Sequence, residues 1–176
     1  ELEKLMNENV EGIILDLRNN PGGLLDQAID LVDLFVDKGN IVSQKGRNES
    51  DNKTYNASKG TTLTKVPMVV LINGGSASAS EIVSGALQDH KRAVLVGKNT
   101  FGKGSVQVVL PITDEEAIKL TIARYYLPSG RTIQAVGVKP DIEVESGAVP
   151  THENEFSIKE ADLKKHLEKE LKKVDG

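Results

Sequence analysis

Two apolar runs that each end in a stretch of small residues constrain this chain more than any other feature. The run 66–72 (VPMVVLI) leads into 73–81 (NGGSASASE), and the run 93–97 (AVLVG) leads into 98–107 (KNTFGKGSVQ). Short runs rich in β-branched residues and bounded by glycine predict buried strands. Ligands and catalytic groups gather at the ends of strands in α/β sheets. We therefore predict that the two small-residue stretches form one active site.

The stretch 73–81 contains a serine that fits two roles. Ser78 and Glu81 form an S-x-x-E capping box, which would make Ser78 an ordinary helix N-cap. Ser78 also lies between Ser76 and Ser80 at a strand–turn–helix junction, the context of the G-x-S-x-G nucleophile elbow, with serines in place of the glycines. Small neighbours allow a substrate backbone to approach the middle hydroxyl. We predict that Ser78 is a nucleophile.

A nucleophilic serine needs a base, and the three histidines are poorly placed to supply one. His90 follows Ser78 by twelve residues, roughly 18 Å along a helix at 1.5 Å per residue, and His152 and His166 belong to a polar C-terminal region. Lys103 remains, with a glycine on each side. Lysine is rarely buried, so a surface turn is its ordinary place. The functional alternative is a neutral amine that acts as the base, which requires burial that favours the uncharged form.

A phosphate-binding loop is a competing hypothesis for the same lysine. The stretch 97–103 (GKNTFGK) matches G-x-x-x-x-G-K, most of that motif. In the motif the next residue is Ser or Thr, which holds magnesium, and a helix follows. Here the next residue is Gly104, and 105–111 (SVQVVLP) predicts a strand. A nucleotide site is therefore the weaker hypothesis.

Five segments in this order resemble the carboxyl-terminal processing (tail-specific) serine peptidases of family S41. They are DLRNNPGG (16–23), SASASE (76–81), FGKGSVQ (101–107), PSGRTIQ (128–134) and GVKPDI (137–142). The resemblance implies that Ser78 is the nucleophile, Lys103 the base and Gln107 the residue that holds the lysine. Their separations of 25 and 4 residues match the family's spacing.

The pair Gly22 and Gly23 can be interpreted in two ways. A strand-to-helix turn that needs positive φ would explain it structurally. The resemblance instead implies an oxyanion hole, formed by a backbone amide of this glycine segment and by the amide of Ala79. Both glycines stay open as the donor.

The composition excludes several other classes of protein. The 176 residues carry a formal net charge of −4, which gives no case for nucleic acid, and no apolar run approaches the ~18 residues that span a membrane. The chain has no cysteine, which excludes disulfides and thiol catalysis, and its histidines are scattered. We therefore expect no metal and no cofactor.

Hydrophobic periodicity and turn signals predict the remaining elements. They are a helix near 1–9, a buried strand at 12–17, an amphipathic helix over 24–38 that ends at Gly39, an exposed polar loop or flap over 45–65, a strand at 117–126, a turn at 128–130, a strand at 132–136, and a helix from Ser157 to Val174. Arg131 steadies either the active-site wall or only the turn, and we favour the turn. We assign 1–146 to a peptidase core domain and 147–176 to a polar segment with a helix, which packs either on the core or on a partner subunit.

The alternation of strands and helices, followed by several strands, predicts an α/β fold. The resemblance implies a crotonase/Clp-protease-like spiral of βαβ units with additional antiparallel strands. It also implies a serine endopeptidase with a Ser-Lys dyad, which cleaves proteins near their C-termini through an acyl-enzyme. Two alternatives stay open: a non-proteolytic crotonase-like domain that binds acyl groups, and a catalytically silent fragment.

The resemblance further implies partners and a location. The expected substrates are polypeptides with free C-termini, the full-length protein is expected to carry a PDZ domain, and a homo-oligomer stays open. The expected location is the bacterial periplasm or another extracytoplasmic compartment. No segment of 1–176 resembles a PDZ domain or a signal peptide. We therefore expect the chain to be the protease core of a longer exported protein.

Overall fold

The computed structural model describes residues 2–113, 115–145 and 147. Within these residues the elements are α1 (Leu2–Asn7), β1 (Ile13–Asp16), α2 (Leu25–Asp33), β2 (Asn40–Gly46), a 3-10 turn (Glu49–Asp51), β3 (Lys53–Asn56), β4 (Met68–Ile72), α3 (Ala79–Asp89), β5 (Val94–Gly97), β6 (Ser105–Pro111), β7 (Ala117–Tyr126) and β8 (Ile142–Glu143). The predicted C-terminal helix lies outside the described residues. None of the described helices has the length and apolar character that crossing a membrane requires.

The strands form two four-stranded sheets. The first has the order β1-β4-β5-β8 and is parallel throughout, and the second has the order β3-β2-β7-β6 and is antiparallel. Strands β4 and β5 are neighbours, so their C-terminal ends lie at the same edge of the parallel sheet. The predicted α/β class with additional antiparallel strands is confirmed.

The core lies on one face of the parallel sheet, beneath α2 and α3. Strand β4 alternates with the period of two that a strand requires: its first, third and fifth residues are buried. Helix α3 is buried from Ala79 to Leu87. Small residues allow this close packing, because a Cβ on Gly85 would lie 2.5 Å from a methyl carbon of Leu127. The element that begins at the predicted nucleophile is thus fixed by the core.

The other face of the parallel sheet is apolar and exposed among the described residues. Ile14 is 71% exposed, Val94 44% and Ile142 53%. Parallel sheets are normally covered on both faces. The strand predicted at 12–17 is present as β1, but the prediction that it is buried is wrong for this face. β1 is an edge strand, and only its inward side chains pack on the core.

The predicted helix over 24–38 is shorter than expected. Helix α2 ends at Asp33. A tighter turn follows, in which the Phe35 amide donates to Val32 O, three residues earlier, at 2.9 Å. This turn keeps Phe35 and Val36 buried after the helix has ended. Gly39 does not end the helix. Its φ of 103° belongs to the turn before β2, where it packs against the ring of His90.

The segment 45–65 is not an exposed loop throughout. Strand β3 pairs with β2 as an antiparallel hairpin. Beyond the hairpin, the Leu63 amide donates to Leu34 O at 2.9 Å, which anchors the segment at the end of α2. The sequence does not predict β3, because its four residues, KTYN, include only one half-buried side chain, that of Tyr55.

The predicted strand at 132–136 is reduced to one bridge between Tyr126 and Thr132, followed by a turn. Arg131 steadies this region as predicted. Its guanidinium bonds Asp89 at 2.9 Å and Gln88 Oε1 at 2.6 Å, which ties the 128–130 turn to the C-terminal end of α3.

Candidate active site

Ser78 lies at the junction of β4 and α3 in an unusual backbone conformation. Its φ is 56° and its ψ is −115°. Residues other than glycine rarely adopt a positive φ. A residue held in this conformation stores about 1–3 kcal/mol of strain, which persists where the surrounding structure enforces it. A strained strand–turn–helix junction is the geometry of the nucleophile elbow. Ser78 thus lies at the strand–turn–helix junction that the sequence predicts, and its role as the nucleophile stays a prediction.

The three serines of the stretch have different environments. Ser76 is fully buried, and its hydroxyl donates to Leu17 O at 2.7 Å and accepts from the Asn73 amide at 3.0 Å. Ser80 is 4% exposed, inside α3. Ser78 is half-buried, so it is the accessible serine of the three. The structure thus favours Ser78 over its two neighbours as a residue that a substrate can reach.

Hydrogen bonds between two asparagines join the glycine segment (16–23) to the serine stretch (73–81). The Asn73 side-chain amide donates to Asn19 Oδ1 at 2.9 Å, and the Asn19 backbone amide donates to Asn73 Oδ1 at 2.9 Å. The Ala77 amide also donates to Asn20 O at 3.0 Å. These contacts join two stretches that are more than fifty residues apart in the chain. They bring Gly22 beside Ser78, and Gly23 lines the same small cavity as Ala79.

The two glycines have different surroundings. Gly22 has a φ of 96°, and a Cβ there would lie 2.6 Å from Ala77 O, 2.8 Å from the Ala79 nitrogen and 3.0 Å from Ser78 Cβ. Its own amide donates to Asn20 Oδ1 at 3.0 Å. A Cβ on Gly23 would meet nothing within 4 Å. Within the part of the chain that the structure describes, the amides of Gly23 and Ala79 have no acceptor.

Replacing Gly22 by alanine should destabilise the protein. The new side chain meets a φ that costs about 1–3 kcal/mol and a carbonyl at 2.6 Å, so the elbow must shift. We expect the melting temperature to fall by about 2–4 °C for each kcal/mol lost, measured by circular dichroism. Gly23→Ala is the matched control and should change stability by less than about 0.5 kcal/mol. Equal melting temperatures for both variants and the parent would contradict this account of Gly22.

Lys103 lies between glycines that are required by close packing. A Cβ on Gly104 would lie 2.7 Å from the Gln134 nitrogen, and Gly102, with a φ of 100°, packs against Ala135. The Gly104 amide donates to Gln134 Oε1 at 2.9 Å, and the Ala135 amide donates to Gly102 O at 2.7 Å. The loop is thus held on both sides of Lys103, which is half-buried.

Glu81 joins the serine stretch (73–81) to the lysine stretch (98–107). Its Oε2 accepts from the Ser78 amide at 2.8 Å and from the Lys103 amide at 2.8 Å. The two amide nitrogens are therefore at most twice 2.8 Å, or 5.6 Å, apart. A lysine's flexible four-carbon stem is long enough to cover such a gap. The structure thus brings the predicted nucleophile and base together at backbone level.

The Glu81 carboxyl is fully buried and fully hydrogen-bonded. Its Oε1 accepts from the Gly102 amide at 2.7 Å and from the Thr100 hydroxyl at 2.5 Å. Burial raises the pKa of Glu81, while the bonds from Thr100, Ser78, Lys103 and Gly102 act in the opposite direction. Buried charged groups are tolerated when such bonds compensate them. The sequence predicts only the capping box and not the bonds from Thr100, Gly102 and Lys103.

Gln107 lies in β6 and is exposed, and the strand pairing shifts register between Val106 and Gln107. Such bulges re-aim side chains and are common beside active sites. Among the described residues the Gln107 side chain makes no hydrogen bond, so its implied contact with Lys103 stays a prediction.

Two competing arrangements are not supported. Residues 105–111 form β6, so the helix that a phosphate-binding loop requires does not follow Lys103. His90 caps the C-terminal end of α3, and its Nε2 lies 2.6 Å from Asn40 O. Because Ser78 is at the opposite end of the same helix, His90 is not its base.

Two cavities flank the edge of the parallel sheet. The larger, about 610 Å³, is lined by Asp16, Arg18 and Lys98 among others, but not by Ser78 or Lys103. The smaller, about 170 Å³, adjoins Gly23 and Ala79, and its walls include the apolar side chains of Leu17, Leu31 and Val83. The smaller cavity is the one that adjoins the predicted oxyanion amides.

The comparisons with known proteins agree on one family. Residues 1–144 match the model of peptidase family S41. The chain is 48% identical over 165 residues to a carboxy-terminal-processing protease of Bartonella bacilliformis, which covers 93% of this chain and 38% of that protein. It is 40% identical over 144 residues to the carboxy-terminal processing protease CtpA of Bacillus subtilis, covering 82% of this chain and 31% of that protein.

A solved structure of a photosystem II D1 C-terminal processing protease matches with a TM-score of 0.76 and 36% identity, over 85% of this chain and 38% of that chain. The chain therefore spans between 31% and 38% of the length of these three proteins. The family match itself covers most of the chain, including all the segments that form the site. The chain belongs to peptidase family S41.

Proposed function

We propose that this chain is the catalytic core of a serine endopeptidase that cleaves polypeptides near their C-termini with a Ser-Lys dyad. The observation that carries the proposal is the strained Ser78 elbow, whose amide shares one acceptor atom with the amide of Lys103. The names of the relatives, which are carboxyl-terminal processing proteases, support the substrate class.

The proposed reaction begins with a proton transfer. The neutral Lys103 amine takes the proton of Ser78 Oγ while Oγ attacks the carbonyl carbon of the scissile peptide bond. The lysine ammonium then gives this proton to the leaving amine, and an acyl-enzyme remains. Lys103, neutral again, then takes a proton from a water molecule while the water oxygen attacks the acyl carbon. The bond between that carbon and Ser78 Oγ breaks, Lys103 returns the proton to Oγ, and the new carboxylic acid end of the substrate leaves. Gln107 is proposed to orient the amine during both steps.

The oxyanion that forms in each step needs amide donors that are not already used. The Gly22 amide donates to Asn20 Oδ1, so it is the weaker candidate. We assign the hole to the amides of Gly23 and Ala79, two residues that line the same small cavity. Preorganised donors of this kind contribute about 2.7–4 kcal/mol each to transition-state stabilisation.

Substrate selection by the free C-terminus is proposed to need a PDZ domain. A PDZ domain adds a peptide strand to a sheet edge and captures the terminal carboxylate. The chain alone should therefore cleave a peptide slowly, and at similar rates whether its C-terminus is free or amidated. A longer natural form with a PDZ domain should be faster and should prefer the free carboxylate.

The test follows product formation by mass spectrometry for both peptides, with the chain and with the longer form, in the presence of EDTA. Cleavage should persist in EDTA, because the proposed chemistry uses only side chains and backbone amides. If the chain alone equals the longer form in rate and in preference for the free carboxylate, the proposed division of roles is wrong. If neither form cleaves, an acyl-binding domain becomes the better hypothesis.

A further inference from the structure

We propose that Glu81 is a positioning residue for the dyad: its buried carboxylate binds the backbone of Ser78 and of Lys103 at one oxygen and so sets their separation. The proposal rests on the proposed function, because it assigns Glu81 a role in the same reaction. Glu81 does not touch the substrate and exchanges no proton in this scheme.

Helix capping alone does not account for the contacts of Glu81. In a capping box the side chain of the glutamate accepts a single bond, from the N-cap amide, here that of Ser78. Three further donors, the Thr100 hydroxyl and the amides of Gly102 and Lys103, come from the loop after β5. Glu81 therefore bonds Thr100, Gly102 and Lys103 to the start of α3.

A second bond joins the same two stretches at a neighbouring position. The Phe101 amide donates to Ser76 O at 3.0 Å. This bond keeps the stretches side by side without Glu81, but it involves neither Ser78 nor Lys103. Loss of the Glu81 carboxylate should therefore leave the fold in place while it frees the two proposed catalytic residues.

The chemistry of the side chain explains why a carboxylate is needed. An ionised carboxyl accepts at both oxygens and donates nothing, which matches the four donors around Glu81. A glutamine has one acceptor oxygen, and its NH₂ group would face at least one backbone amide. An aspartate keeps the charge but is shorter by one methylene, so it cannot reach all four donors.

The test measures how fast Ser78 reacts with a fluorophosphonate, using the full 176-residue chain. Glu81→Gln should lower the limiting labelling rate by about 100-fold, since small misplacements of reacting groups cost that much. The half-saturating probe concentration should stay within about threefold, because the binding surface is unchanged. Glu81→Asp should retain part of the rate. Ser84→Ala is the matched control: this buried serine lies one turn further along α3 and bonds Ser80 O, and its labelling rate should equal the parent's.

A double-mutant cycle separates positioning from a general structural role. If Glu81 acts through the dyad, adding Glu81→Gln to Lys103→Ala should change the residual labelling rate by less than about threefold, since residues that act as a unit are not additive. A merely structural role would lower the rate by a similar factor in both backgrounds.

The outcomes distinguish this proposal from the proposed function. A Glu81→Gln variant that labels at the parent rate, or additive effects in the cycle, would overturn the role of Glu81 alone, provided that Lys103→Ala still slows labelling. If the parent chain is not labelled, or if Ser78→Ala is labelled at the parent rate, the proposed function fails and the role of Glu81 fails with it.

Discussion

Replacing Ser78 by alanine is expected to lower kcat for peptide cleavage by at least about 10⁴-fold, because loss of the nucleophile removes the acyl-enzyme route. The fold should survive, since the hydroxyl is half-buried and the core contacts of α3 do not depend on it. The measurement is the rate of product formation under saturating peptide, with the melting temperature recorded for the same sample.

Ser76→Ala and Ser80→Ala are the controls for this prediction. Ser76→Ala removes the hydroxyl that bonds Leu17 O and the Asn73 amide. Leu17 O keeps the bond from the Asn20 amide at 3.2 Å, but the Asn73 amide loses its acceptor, which should cost about 1–3 kcal/mol of stability. Both variants should nevertheless keep measurable cleavage when they are folded. Cleavage by Ser78→Ala at the parent rate would show that another group is the nucleophile.

Lys103→Arg is expected to be nearly inactive, with kcat reduced by about 10²–10⁴-fold, the range that a general base contributes. A guanidinium stays protonated at any workable pH, so it cannot accept the Ser78 proton. Initial rates under saturating peptide, with the melting temperature recorded for the same sample, measure this effect.

The matched control is Lys139→Arg, which makes the same substitution at an exposed lysine outside the site. It should keep the parent rate. An arginine variant at position 103 with normal kcat would remove the base assignment.

The position of the site could be predicted from sequence because it depends on local patterns. Apolar runs that end in glycine and serine indicated β4 and β5, and both strands are present with adjacent C-terminal ends. The strand–turn–helix context of Ser78 also follows from local sequence. Its positive φ does not, because that conformation is enforced by contacts with the rest of the fold.

The role of Glu81 could not be predicted, because the capping motif is local and the other partners are not. Thr100, Gly102 and Lys103 follow Glu81 by 19 to 22 residues, and only the packing of α3 against the loop after β5 brings them to its carboxyl. The choice between Gly22 and Gly23 is similar. It depends on which amide is already bonded, a property of the folded loop.

The errors in element boundaries have a tertiary cause as well. The periodicity of 24–38 is helical to its end, but α2 ends at Asp33 because the following turn buries Phe35 and Val36. Strand β3 has few residues with high β propensity and forms because β2 provides a partner. Strand propensity depends on such neighbours more than helix propensity does.

Mapping the site of covalent labelling tests the Ser-Lys peptidase proposal most directly. The chain is treated with a fluorophosphonate and digested with trypsin, and the fragment 66–91, which carries Ser76, Ser78, Ser80 and Ser84, is sequenced by tandem mass spectrometry. We expect one adduct, on Ser78, that forms only very slowly in Lys103→Arg. An adduct on Ser76, Ser80 or Ser84, or labelling of Ser78 at an unchanged rate in Lys103→Arg, would contradict the proposed dyad.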